Sequence, residues 1–176
     1  MSIKIVRVKI RGTTALLMHA YPMIPLEAAE KKSPEEQAEY ACYREPGGSL
    51  YIPGINIQRC LVAAAAYSKG KGRASLQKPV AACVMIAPER CILDEQTYQI
   101  DIRPVVIPAT KGRVLRHRPR FDRWGVEFEI EYDDNLLKES ELRQVVDDAG
   151  VRVGLLDFRP ERKGSFGRFM VVEWKS

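Results

Sequence analysis

A run of basic side chains between positions 111 and 123 is the part of this sequence best suited to chemistry. Five of its six cations are arginines, and Asp122 is the one acid among them. Arginine suits phosphate because its planar guanidinium stays charged and donates two parallel hydrogen bonds. The run therefore predicts contact with a nucleic-acid backbone, with intersubunit ion pairing and a solvated hairpin as alternatives. The expected phosphate ligands here are Lys111, Arg113, Arg116, His117, Arg118, Arg120 and Arg123.

A second basic cluster lies in a glycine-containing stretch near the C-terminus. Glycines lack side chains, so backbone N–H groups there can approach phosphate oxygens while neighbouring Arg and Lys supply charge. The residues expected to contact phosphate in this stretch are Arg159, Arg162, Lys163, Gly164, Ser165, Gly167 and Arg168. A tight connection that needs positive φ angles is the alternative. The G-x-x-x-x-G-K-[ST] order is absent, which argues against a nucleotide hydrolase.

Length and composition predict one domain over positions 1–176. The chain has 176 residues, of which 45% are hydrophobic and 29% charged, so it can bury a core and is not generally disordered. Its net charge of +5 fits a polyanionic ligand, although the position of charge matters more than its sum. Positions 127–148 carry nine acids and two bases, so we expect an electrically polarised molecule.

Cysteine and histidine usage argues against a metal site. The four cysteines form no Cys-x-x-Cys pair, and His19 and His117 are far from them in sequence. A zinc site needs a denser set of ligands, so we expect reduced packing cysteines, no metal and no cofactor. No stretch reaches the roughly 20 apolar residues of a membrane span, and the N-terminus does not resemble a signal peptide. A cytoplasmic protein with no membrane partner is therefore expected.

Hydrophobic periodicity predicts the elements that must position these clusters. Val6, Val8 and Ile10 alternate with basic residues, which is typical of a half-buried strand. Ser33 followed by Pro34 predicts the start of a helix. The predicted strands span 3–11, 80–86, 99–107, 125–132 and 169–174, and the predicted helices span 33–44, 54–67 and 140–149.

The core order of strand, helix, strand, strand, helix, strand predicts an α+β fold of ferredoxin-like (RRM-like) type. This is a βαββαβ antiparallel sheet with helices on one face. An insertion at about 20–48 follows the first strand, and a basic hairpin extends over about 99–124.

In this topology the first and third core strands pair, which brings a basic row beside an acidic row. The two rows are Arg7, Lys9 and Arg11 on the first strand, and Glu127, Glu129 and Glu131 on the third. Such pairing neutralises the open face of the sheet, and that face has no outward aromatic on which bases could stack. We therefore do not expect RNA to bind there.

Two segments resemble one known family. The first, Tyr51-Ile52-Pro53-Gly54-Ile55-Asn56-Ile57-Gln58-Arg59-Cys60-Leu61, is similar to the strand-to-helix motif Y-I-P-G-S-S-I-K-G-x-L of the RAMP superfamily. The members that it resembles are Cas7-type CRISPR-associated proteins, and Leu16-Leu17-Met18-His19 resembles the opening segment of phage-encoded Cas7-like relatives. The stretch from Val153 to Phe169 resembles that superfamily's C-terminal glycine-rich loop, and the basic hairpin matches its thumb-like extension.

The resemblance implies a subunit of antiviral defence that self-assembles along RNA, as a homo-oligomer or in a multisubunit ribonucleoprotein. Arg59, within the first segment, joins the expected ligands. Single-stranded RNA is the expected partner, with DNA as the alternative. Target-cleaving members use an Asp after the first strand, and no Asp lies between Arg11 and Tyr51. The sequence therefore predicts a non-catalytic protein.

Two other functions stay open. A metal-independent endoribonuclease of the related Cas6 type would use His19 beside Tyr21, or His117, as a general base. A protein-interaction module would use the polarised faces for assembly without nucleic acid.

Overall fold

The computed structural model describes residues 2–176. The strands are β1 (Ile3–Gly12), β2 (Leu16–Leu17), β3 (Tyr51–Pro53), β4 (Met85–Ala87), β5 (Arg90–Ile92), β6 (Gln99–Val106), β7 (Arg113–Phe121), β8 (Gly125–Asp133) and β9 (Phe169–Lys175). The helices are α1 (Leu26–Glu30), α2 (Pro34–Tyr40), α3 (Gly54–Ala64), α4 (Gln77–Cys83) and α5 (Glu139–Asp148). Within residues 2–176, no helix is long and apolar enough to cross a membrane.

The main sheet has the strand order β4-β8-β1-β9, and its neighbouring strands are antiparallel. Val6, Val8 and Ile10 of β1 are fully buried, which confirms the predicted alternation. Ile57 of α3 and Leu142 of α5 belong to the same core as these three residues. Burial of each such side chain stabilises the fold by about 1.5–3 kcal/mol. The protein is therefore α+β with antiparallel sheets, as the sequence predicts.

The first and third core strands pair as expected, and the basic row lies beside the acidic row. Arg7 lies opposite Glu129, with Nη2 and Oε1 3.0 Å apart, and Lys9 lies opposite Glu127. The two rows are offset by two residues, so that Glu131 lies opposite Ile5 and Arg11 lies opposite Gly125. Exposed pairs of this kind contribute about 1 kcal/mol or less, so their main effect is to balance charge on the open face.

The strand predicted over 80–86 is wrong for most of its length. Residues Gln77–Cys83 form α4, and only Met85–Ala87 pair with β8. A short apolar run fits a buried strand and a buried helix equally well by periodicity. Pro79 lies in the first turn of α4, where proline is tolerated. Val80 is fully buried against the core.

Two predicted helix boundaries also move. Helix α2 has the expected Ser33 cap, whose Oγ accepts from the Glu36 N–H at 3.2 Å, but it ends at Tyr40 rather than near residue 44. The helical conformation does not end at Gly150, because a π-helical turn over 149–153 directly follows α5. A Cβ at Gly150 would lie 2.1 Å from the carbonyl oxygen of Phe169. Gly150 is therefore required for the close approach of β9, not for helix termination.

Strands β6 and β7 form the predicted basic hairpin. They pair from Gln99 opposite Arg120 to Val106 opposite Arg113, and β2 adds a third strand to this second sheet. Helix α2, from the predicted insertion, packs against β7. A two-stranded sheet of β3 and β5 lies beside the start of α3.

The contact at Gly150 gives a stability prediction. We expect Gly150→Ala to lower the free energy of unfolding by about 3 kcal/mol, because the new methyl group meets backbone that cannot rotate away. Gly47→Ala is the matched control, since a Cβ there meets nothing within 4 Å. Urea denaturation measures both variants. Equal midpoints for the two would contradict the inferred packing of β9 against the π-helical turn.

Candidate nucleic-acid interface

A pocket of about 420 Å³ opens beside the N-terminal half of α3 and faces the chain that follows α5. Arg59 of α3 meets Arg159 and Arg162 in its wall. The structure therefore brings together two distant regions that were both predicted to bind phosphate. The other polar or aromatic side chains of the wall are His19, Tyr43, Asn56, Asp157 and Glu161.

Cys60 fixes this pocket's two sides to each other. Its Sγ donates to the carbonyl oxygen of Gly154, at 3.2 Å. Burial raises the pKa of the Cys60 thiol to about 12, so the thiol keeps the proton that it donates. Gly154 has φ +75°, and a Cβ there would lie 2.7 Å from Cδ of Pro160. The chain can therefore turn into the pocket only with glycine at this position.

The glycines of the 159–168 loop do not offer their N–H groups to a ligand. The N–H of Gly164 donates to the Arg159 carbonyl at 3.0 Å, and that of Gly167 donates to the Ala15 carbonyl at 2.8 Å. A Cβ at Gly167, where φ is +77°, would lie 2.0 Å from the Leu155 carbonyl oxygen. The expectation that the backbone of Gly164 and Gly167 contacts phosphate is wrong, because the Gly164 N–H closes the loop and the Gly167 N–H joins the loop to the segment that follows β1. The side chain of Ser165 stays exposed.

Arg118 is buried rather than available to a ligand. Only 3% of its side chain is exposed, and its Nη1 donates to Oδ2 of Asp157. Its Nε and Nη2 are buried without a hydrogen-bond partner within residues 2–176, and its guanidinium lies 5.1 Å from the ring centroid of Phe158. The expected role of Arg118 as a phosphate ligand is therefore wrong.

Asp157 links Arg118 to the pocket. Its Oδ2 also lies 3.4 Å from Nδ1 of His19. Burial alone would raise the pKa of Asp157, but the hydrogen bond from His19 and the charge of Arg118 outweigh it, and the pKa is lowered from its ordinary value. Asp157 is therefore ionised at neutral pH and orients the His19 ring.

Other arginines of the hairpin are compensated within the chain. Arg120 pairs with Asp122 at 2.8 Å and with the buried Asp101 at 3.7 Å. The guanidinium groups of Arg103 and Arg120 lie 4.8 and 5.4 Å from the ring centroid of Phe166, which docks the loop on the hairpin. Since its charge is balanced twice, Arg120 is not a free phosphate ligand.

Two further predicted phosphate ligands, Arg116 and His117, contact residues of the insertion. Arg116 lies 3.6 Å from a carboxylate oxygen of Glu30. Nδ1 of His117 lies 2.8 Å from the amide oxygen of Gln37, on α2. These contacts hold the insertion against β7, so both side chains have a structural role that the sequence did not predict.

Among the cations predicted to bind phosphate, those that form no salt bridge within residues 2–176 lie in two places. Near the pocket and the turn at Thr14 are Arg59, Arg123, Arg162, Lys163 and Arg168, all of which are exposed. Thr14 holds Arg168 near Arg123. Its Oγ1 accepts from the Arg168 N–H, and its carbonyl accepts from Nε1 of Trp124, the residue after Arg123.

The hairpin tip carries the second group, Lys111 and Arg113, both exposed. Strand β7 separates Arg113 from Phe121 by about 25 Å, at about 3.3 Å per residue. The predicted phosphate ligands are therefore divided: Arg59 and the loop at 159–168 converge, whereas the cations of the hairpin tip lie apart from them.

Sequence reasoning assigned no binding role to Tyr43, Asn56 or Asp157. Asn56 lies in the quoted strand-to-helix segment, which was the one signal that pointed to it. Tyr43 and Asp157 carried no signal, because their place in the wall depends on tertiary contacts. Within the described chain, no three His, Cys, Asp or Glu side chains come together to hold a metal ion.

Comparisons with known proteins support the fold but no family assignment. No protein-family model matches the chain, and no curated protein matches it. Among solved structures it is similar to a chain of the type III-B Cmr-beta complex bound to cognate target RNA, determined by cryo-EM. The TM-score is 0.61 at 12% sequence identity, and the match covers 98% of this chain and 60% of that one. The chain thus spans about 60% of its neighbour's length, and the likeness is one of fold.

The Arg118–Asp157 pair gives a second stability prediction. Removing one partner of a buried pair typically costs about 3–5 kcal/mol, and a third of the Asp157 side chain is exposed. We therefore expect Asp157→Asn to lower the free energy of unfolding by about 2–3 kcal/mol at pH 7. Asp122→Asn, which removes an exposed partner of Arg120, should cost about 0.5 kcal/mol or less.

The lowered pKa of Asp157 also predicts how the stability difference between wild type and Asp157→Asn depends on pH. A lowered folded-state pKa stabilises the protein above the unfolded-state pKa, near 4, and that contribution is lost as pH falls through the folded-state pKa. The difference between wild type and Asp157→Asn should therefore shrink in urea titrations below about pH 4. A difference that stays constant down to pH 2 would contradict the ionised pair.

Proposed function

We propose that this protein is a non-catalytic, Cas7-like subunit that binds the backbone of single-stranded RNA in a larger ribonucleoprotein. The observation that carries the proposal is that Arg59 and Arg162 line one pocket and neither forms a salt bridge within residues 2–176. Unpaired guanidinium groups on a concave surface favour a phosphate chain. Lys163 and Arg168 extend this charge along the exposed loop.

The fold supports the same proposal. Counted along the chain, the core strands of the main sheet are ordered second, third, first, fourth. Helix α3 lies between the first and second of them in sequence, and α5 lies between the third and fourth. This order favours the proposed ferredoxin-like domain. The structural neighbour was solved with its target RNA bound, which makes RNA a more natural partner than DNA.

The charge distribution favours the loop side over the open face of the sheet. On that face, Arg7 and Glu129 form an ion pair, so the potential that a phosphate chain meets is close to neutral. On the loop side, Arg59, Arg162, Lys163 and Arg168 have no such partners within residues 2–176. A polyanion is therefore drawn to the loop side.

Binding without cleavage is consistent with the pocket's carboxylates. Asp157 is held by Arg118 and His19, and Glu161 accepts from Nε of Arg159 at 2.8 Å. Neither acid is left to bind a catalytic metal. Assembly along RNA is part of the proposal, on the strength of the sequence resemblance. A cytoplasmic location is also part of it, because the four cysteines are expected to be reduced.

A charge-removal experiment tests the loop. In the triple variant Arg162→Gln/Lys163→Gln/Arg168→Gln, affinity for a mixed-sequence RNA 20-mer should fall by at least about 10-fold, because three phosphate contacts and their counterion release are lost. The slope of log affinity against log salt should become shallower by about 2. Fluorescence anisotropy across a salt series measures both quantities.

The control removes equal charge elsewhere. Lys69→Gln/Lys71→Gln/Arg73→Gln changes three exposed cations just beyond the C-terminal end of α3. Like the test set, it includes one left-handed residue, Arg73 at φ 62° against Lys163 at φ 64°. This control should bind almost as wild type does. Equal losses in both triple variants would reduce the effect to net charge and remove the loop from the proposal.

The divided charge predicts a dependence on strand length. A single strand advances about 3.4 Å per stacked nucleotide, and β7 runs for about 16 Å from the tip residue Arg113 to Arg118, which contacts the pocket residue Asp157. We therefore expect a tetranucleotide held in the pocket not to reach the tip. Lys111→Gln/Arg113→Gln should therefore weaken binding of the 20-mer and leave a tetranucleotide unaffected, as measured by anisotropy competition. If the 20-mer binds this variant as tightly as wild type, the tip plays no part in binding.

A further inference from the structure

The pocket beside α3 is larger than a backbone phosphate requires. Its volume of about 420 Å³ falls within the roughly 300–1,000 Å³ that is usual for sites holding small organic ligands. Its wall also contains groups for which a phosphate has no use, namely the ring of Tyr43 and the amide of Asn56.

The charges of the wall match those of one phosphate group. The charge of Asp157 is balanced by Arg118, and that of Glu161 is balanced by Arg159. Arg59 and Arg162 remain, two cations without a carboxylate partner within residues 2–176. A phosphate monoester carries a charge of about −1.5 to −2 at pH 7, and an internal phosphodiester carries a single charge. The two charges of Arg59 and Arg162 are therefore enough to neutralise either a phosphate monoester or a phosphodiester.

Tyr43 is held as a rigid platform. Its backbone N–H donates to Sδ of Met18 at 3.0 Å, and its carbonyl accepts from the N–H of Tyr51. The rings of Tyr43 and Tyr51 pack against each other with centroids 5.9 Å apart. The Tyr43 ring is half-buried and forms part of the wall. A fixed, partly exposed aromatic ring at the edge of a basic pocket is suited to stacking on a nucleic-acid base.

Asn56 adds a polar group next to this platform. It lies in the first turn of α3, and its side-chain amide has no hydrogen-bond partner within residues 2–176. An amide offers both a donor and an acceptor, which is the combination that base edges recognise.

We propose that this pocket receives one complete nucleotide unit, with its phosphate against Arg59 and Arg162 and its base against Tyr43 and Asn56. The inference rests on the proposed function but goes beyond it, because it makes one position of the strand contact the protein through its base. The nucleotide unit comes either from the bound RNA strand or from a free mononucleotide.

Calorimetry with uridine monophosphate and inorganic phosphate tests the pocket itself. Wild type should bind the mononucleotide about 10-fold more tightly than phosphate, because stacking adds to the charge contact. Tyr43→Leu should abolish this preference, and Tyr43→Phe, which keeps the ring, should retain it. Tyr67→Leu is the matched control, since Tyr67 is exposed beyond the far end of α3. A mononucleotide that binds no better than phosphate, or a preference that survives Tyr43→Leu, overturns the inference.

An RNA 10-mer and its fully abasic counterpart identify the source of the nucleotide. If the strand supplies it, wild type should bind the abasic 10-mer about 5- to 30-fold more weakly, Tyr43→Leu should reduce this difference, and uridine monophosphate should displace the 10-mer. The 10-mer can also bind while Tyr43→Leu changes neither the preference for uridine monophosphate over phosphate nor the difference between the two 10-mers. In that case the inference fails and the proposed function stands. If wild type does not bind the 10-mer at all, the proposed function fails, and ring-dependent binding of the mononucleotide then identifies a free nucleotide as the ligand.

Discussion

The buried guanidinium of Arg118 determines how the β6–β7 hairpin packs against the segment that contains Asp157 and Phe158. It projects from the base of the hairpin, where only 3% of its side chain reaches solvent, and a charge so placed requires a counterion. Asp157 supplies it from the C-terminal loop, and Phe158 covers the guanidinium from the same loop. The ion pair with Arg118 therefore determines where Asp157 and its part of the pocket wall lie. The same carboxylate orients the ring of His19.

The loop accepts unfavourable backbone geometry to make these contacts. Leu156, Phe158 and Lys163 have positive φ values of 62°, 49° and 64°, a region that residues with side chains rarely occupy. Such strain persists where surrounding contacts over-determine the chain. Here Leu156 is buried in the core, and the Phe166 ring contacts the guanidinium groups of Arg103 and Arg120. The arrangement is consistent with a rigid, preformed site.

Sequence patterns predicted the frame better than the site. Period-two alternation located β1 and β8, because the buried face of a sheet strand must be apolar at every second residue. The run at 80–86 had no such period, so helix and strand were not distinguishable. For the arginines, the sequence showed charge but not its compensation: Asp157 lies far along the chain from Arg118, and only tertiary structure pairs them. Gly167 likewise fits a phosphate loop and a tight turn equally well until its N–H partner is known.

The length of the β6–β7 ribbon separates the molecule into two electrostatic regions. At physiological ionic strength the Debye length is about 8 Å, whereas the tip cations stand about 25 Å from the ribbon's base. Mobile ions therefore screen the field of Lys111 and Arg113 almost completely before it reaches the pocket. Each region attracts a polyanion on its own, and only a ligand long enough to touch both adds their attractions together.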